Sequence, residues 1–173
     1  RALDTLAKSG VHLSEVPLPE LARLPGINRL GGFAGAEAFA WHRALLARSE
    51  AQYDPRVSIR IRAAQAMPAA DMIRSVQRSA TPFDALLMPT VAIVAPALAP
   101  LEQSDEAYGR ANYALLRNPN TINFLDGCAL SVPCHAPGEA PVGLMVVGMS
   151  GADRVILQVG QAIESALGAI RVG

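Results

Sequence analysis

The chain has 173 residues, enough for one compact unit that buries about seventy per cent of its extended surface. It is 51% hydrophobic but only 5% aromatic, so its core is to be filled by Ala, Leu, Val and Ile, which suits layered helix and sheet better than a small barrel. Fifteen basic residues balance fifteen acidic ones without clustering, and no long uninterrupted apolar run occurs, which speaks against a nucleic-acid partner and against a membrane span.

In chain order, "ALDTLAKSG" reads as a short helix ended by Gly10, and "VHLSEVPLP" as a strand running into a proline-bounded loop. From Gly31 to about Tyr53 a proline-free stretch predicts a helix with Phe33, Ala36, Ala40 and Leu45 on one apolar face. A second helical stretch follows "DPR"; Pro68 is expected to break it, with another helix over "AADMIRSVQRSA".

"FDALLMPT" is a continuously apolar strand ending at Pro89, as in a sheet covered on both faces. Ser104, with Asp105 and Glu106 behind it, caps a helix expected to run to about Leu116. Beyond it, Pro119, Gly127 and Pro133 are expected to fix turns, with Asn118, Asn120 and Asn123 tying down loop backbone. "ALSV" and "VGLMVVG" are two further strands. Ser150 and Asp153 form an S-x-x-D capping box ahead of a helical stripe of Val155, Ile156, Val159, Ile163 and Leu167. The order of elements predicts an α/β fold, a mixed β-sheet covered by helices, in a single domain.

A reactive centre is not evident. No G-x-S-x-G elbow is present. His12, His42 and His135 have no neighbour pattern that fixes a role. Cys128 and Cys134 are spaced unlike a zinc site, and two cysteines make no disulfide framework, so free thiols in a reducing cytoplasm are expected. Cys134 and His135 are adjacent on a strand and point to opposite faces. "GGFAG" lacks the Lys and the preceding strand of a phosphate loop. The residues alone lead to an α/β domain without a self-sufficient active site.

Four pieces in order carry a resemblance. Asp84, Pro89 and Thr90 stand in "FDALLMPT"; Arg117, Asn118, Asn123 and Pro133 in "RNPNTINFLDGCALSVP"; Pro141, Gly143 and Gly148 in "PVGLMVVG"; Asp153 and Leu157 in "DRVIL". Together they resemble the C-terminal part of the amidase signature family. The chain departs from many members in having Asp126 and His135 for Gly, and Cys128 for Pro.

The resemblance implies the C-terminal part of an α/β/α sandwich that hydrolyses carboxamide C–N bonds through two serines, one in a cis peptide, and a lysine. No Gly-Ser-rich stretch occurs here, and Lys8, the one lysine, has no matching context. No catalytic residue is therefore assigned to this chain, which alone is expected to be inactive, and the resemblance implies no metal or organic cofactor. Something upstream of Arg1 is expected to be missing. By the same resemblance, Thr90, Arg117, Asn118 and Thr121 contact a small-molecule amide substrate in the full-length enzyme. The alternative is a stand-alone binding or assembly module that keeps the framework; a homodimer is compatible with either.

Overall fold

The computed structural model describes residues 1–19, 26, 30–67 and 83–168. The helix expected over "AADMIRSVQRSA", and the break at Pro68, lie outside the described residues. By internal packing the chain groups into two units: Arg1–Val16 with Ala80–Gly173, and Pro17–Ser79.

The first unit is built on three strands, β1 (Leu86–Pro89), β2 (Cys128–Pro133) and β3 (Gly143–Gly148). Their order is β1-β3-β2, and both pairings are antiparallel. The α/β class stands, but the mixed character expected of the sheet is not found among the described strands. The register Leu87↔Val146↔Leu130 and Met88↔Met145↔Ser131 sorts the side chains by parity onto two faces.

On one face Val132, Leu144 and Val146 pack with Leu6, Ile156, Ile163 and Leu167. Leu6 comes from α1 (Ala2–Lys8) and the last three from the long C-terminal helix, Asp153–Gly168. On the other face Met145 and Val147 pack with Ile122 of a twenty-residue helix, Asp105–Phe124. The central strand β3 is thus buried on both sides, which explains its unbroken apolar sequence.

Local signals account for most element ends. After α1, Val11 N–H bonds Leu6 O and Gly10 N–H bonds Ala7 O, with Gly10 at φ 92°: a Schellman stop, as the sequence suggests. Ser104 Oγ accepts from Ala107 N–H and caps the Asp105–Phe124 helix. That helix does not end near Leu116; it runs on through Pro119. Its stop lies at Asp126, φ 55°, where Asp126 N–H bonds Asn123 O and Gly127 N–H bonds Ile122 O. Aspartate fills the left-handed position that suits glycine, its short side chain tolerating that backbone.

Three other expectations change. Residues 11–18 form no strand. The C-terminal helix begins at Asp153, so Ser150 stands too early to cap it. Its buried stripe is Ile156, Gly160, Ile163 and Leu167, with Val155 exposed.

The second unit contains α2 (Gly32–Ser49) and α3 (Pro55–Ala63), joined by a short turn and packed together. Asp54 accepts from Arg56 N–H, and Pro55 opens α3, a sound N-terminus. Leu46, Ile61 and Ala64 are buried, Glu50 and Arg62 form a two-pronged ion pair, and His42 Nδ1 lies 2.7 Å from Tyr53 Oη. The expected apolar face of α2 is rotated: Leu46 faces in, while Ala40, Trp41 and Leu45 face out. The remaining helices of the first unit are numbered α4 (Leu98–Gln103), α5 (Asp105–Phe124) and α6 (Asp153–Gly168).

The β2–β3 loop carries a titration signature. Glu139 receives two hydrogen bonds from the Arg1 guanidinium, at 3.1 and 2.6 Å, and one from Ala136 N–H. The Arg1 bond foremost, then the Ala136 amide, pull the Glu139 carboxyl down from 4.5 to about 2. A lowered carboxylate pKa adds stability that is complete above the ordinary value and lost as pH falls through about 2. Both groups are exposed, so salt screens the effect. An NMR titration of Glu139 is expected to show a midpoint well below 4.5 that returns toward it in Arg1→Ala. A wild-type midpoint near 4.5 would remove the bridge from the account.

Candidate functional site

One end of the sheet collects the polar side chains singled out by sequence. Thr90 follows β1, and its N–H bonds Gly143 O at 2.9 Å, prolonging the β1–β3 ladder by one residue. Asn118, half-buried on α5, donates from Nδ2 to Pro89 O at 2.7 Å, one residue earlier. Arg117 Nε donates to Asn118 Oδ1 at 3.3 Å. Helix, amide and strand end are therefore one connected unit. Thr121 is different: its hydroxyl donates back to Arg117 O at 2.9 Å, one helical turn away.

Arg117, Asn118 and Thr121 are thus helical residues, not loop residues. Pro119 removes the N–H that would bond Leu115 O, yet the helix persists. The Asn118 bond to β1 and the packing of Ile122 on the sheet hold the last turns from outside. The side-chain amide expected to tie down its own loop instead ties a helix to a strand.

Two residues not assigned as contacts join the cluster. Ser131 of β2 places Oγ 2.6 Å from Thr90 Oγ1, reaching across the intervening strand β3. It does so over Gly143, where a Cβ would overlap Ser131 Oγ and stand 2.7 Å from Thr90 Oγ1. The signal for Ser131 was legible in "ALSVP": one hydroxyl in an otherwise apolar strand, on the face opposite Leu130 and Val132. Gly143 carried its signal in the Pro-x-Gly pattern.

The remaining candidates sit elsewhere in this unit or in the other. Cys128 and Cys134 are free and half-buried at opposite ends of β2, about 20 Å apart by strand rise, far beyond disulfide reach. Their thiols lie against the carbonyls of Met149 and Val142. His135 Nδ1 accepts from Val142 N–H at 3.2 Å, a loop-closing bond. Among the described residues no three His, Cys, Asp or Glu side chains gather as a metal site, and no helix is long and apolar enough to cross a membrane.

Chemically the cluster offers hydrogen-bond donors, a guanidinium and two hydroxyls, with no carboxylate or imidazole among its members. These groups are suited to hydrogen bonding, and the cluster contains no side chain that serves as a general base at neutral pH. It lies on a layered helix–sheet–helix unit of the α/β class. Residues 1–157 match the Amidase family model, and the chain belongs to the amidase family.

A curated relative, the 2-amino-5-chloromuconic acid deaminase of Comamonas testosteroni, is 29% identical over 178 residues, covering 96% of this chain and 38% of the relative. A solved structure described as a crystal structure of amidase superposes with a TM-score of 0.69 over 94% of this chain and 39% of that one, at 22% identity. That likeness establishes the shared fold. The chain spans about two fifths of the length of these relatives.

Proposed function

We propose that this chain is the C-terminal part of an amidase that hydrolyses the C–N bond of small carboxamides. The observation that carries the reading is the family match over residues 1–157. In the longer enzyme a serine hydroxyl from outside this chain attacks the amide carbonyl, and a lysine takes its proton through a second serine held by a cis peptide. Ammonia or an amine leaves, and water releases the acyl group. The donor cluster at the sheet end supports this division of labour, because it has donors suited to binding and no base among its members.

Thr90, Arg117 and Asn118 are assigned to one wall of the substrate cavity, with Thr121 behind Arg117. Among the described residues the Arg117 side chain is engaged through Nε alone, which leaves both Nη groups to grip a carboxylate as a planar fork. Substrates carrying an acid group beside the amide are therefore preferred, in keeping with the acid named for the curated relative. The test is ammonia release by the longer enzyme from primary carboxamides with and without a neighbouring carboxylate. Release from the panel, faster with the acid-bearing members, is expected. No release from any amide overturns the amidase reading, and equal rates overturn the carboxylate preference.

A further inference from the structure

Thr90, one residue past β1, and Ser131, on β2, are separated by the intervening strand β3. Strands two apart in a sheet are about 10 Å from one another, so their short side chains ordinarily cannot touch. Here the two hydroxyls meet at 2.6 Å because the residue between them on β3, Gly143, has no side chain to separate them. Ser131 is exposed on a strand whose alternate residues Leu130 and Val132 point into the core, and Thr90 is half-buried. Water competes for both partners of an exposed hydroxyl pair, so the pair does little for folding. It does, however, fix the Thr90 side chain. The Thr90 backbone is already held by Gly143 O, and its predecessor by Asn118.

Proton counting gives the pair its chemistry. Two hydroxyls carry two protons; one is spent inside the pair, and one remains to donate outward. We propose that Ser131 is a positioning residue: with Gly143 as the gap that admits it, Ser131 locks Thr90 so that the pair presents one O–H donor to a carbonyl or carboxylate oxygen of the substrate. This rests on the amidase reading above. Ser131 acts on binding, and the bond-breaking groups lie elsewhere.

The experiment is steady-state kinetics of the longer enzyme with its best carboxamide, with thermal melting of each variant. Ser131→Ala is expected to raise KM about tenfold, the worth of one lost hydrogen bond, with kcat nearly unchanged and Tm within about 2 °C of wild type. Ser131→Thr, which restores a hydroxyl, is expected to recover most of the affinity. Gly143→Ala, which parts the hydroxyls, is expected to raise KM like Ser131→Ala. An active wild type whose KM is unmoved by Ser131→Ala overturns the proposal alone. So does a loss that follows Tm and is not rescued by Thr. A wild type that releases no ammonia overturns the amidase reading and this proposal with it.

Discussion

Asn118→Ala in the longer enzyme is expected to lower kcat/KM about a hundredfold, the scale of loss that a displacement near 1 Å causes at a site built on orientation. The side chain ties α5 to the end of β1 by a 2.7 Å bond from Nδ2 to Pro89 O, immediately before Thr90. It also accepts from Arg117 Nε, so its loss frees the guanidinium as well as the strand end. Pro119 follows directly and leaves the helix short of a backbone bond there, so the external tie counts for more. The stability cost is that of a single neutral hydrogen bond, about 1 kcal/mol. Asn118→Asp is expected to fare no better, because a carboxylate facing the Pro89 carbonyl has no proton to give. Kinetics and melting of both variants check this: near-wild-type activity in either would show that the tie does not position the site.

The second large effect is structural. Gly160→Val is expected to destabilise the fold by about 3 kcal/mol, at the upper end of what overpacking ordinarily costs. Gly160 lies in α6 where the helix crosses β2. A Cβ there would overlap Leu130 Cδ2, come within 3.3 Å of Leu130 Cγ, and approach Val132 Cγ2 at 3.9 Å. Leu130 packs against the core of Val132, Leu144, Val146, Ile156 and Ile163, so it cannot swing aside freely. The helix must then withdraw from the sheet or Leu130 must leave its rotamer. Urea unfolding measures the loss; a midpoint unchanged from wild type would mean that the α6–β2 contact is looser than described.

These two residues also mark how far the sequence could be read. Signals carried by one or two residues in a local frame were legible: Gly10 as a helix stop, Ser104 as a cap, the apolar run of β3, the stripe of Ile156, Ile163 and Leu167. What depended on a distant partner was not. Pro119 argues locally against helix, and only the Asn118–Pro89 bond and the seating of Ile122 on the sheet show why the helix continues. Residues 11–18 have strand-like alternation, but a strand exists only by pairing, and no described strand pairs with them. Asp126 hides a left-handed stop because aspartate signals it weakly. On α2, small alanines left the buried face ambiguous, so the orientation was decided by the packing of α3 and not by the pattern.

The candidate site divides the same way. Thr90, Arg117 and Asn118 were named through resemblance, and the structure brings the three to one end of the sheet through Pro89. Ser131 and Gly143 enter through a contact that spans two strands, which no spacing rule encodes.

On the proposed function this chain supplies a wall of the substrate cavity, while the nucleophile lies outside it. The most direct measurement treats the longer enzyme with a serine-reactive phosphonate until turnover stops, then maps the modified peptide by mass spectrometry. A single modified serine outside residues 1–173 is expected. A modified serine within them, Ser131 included, would contradict it.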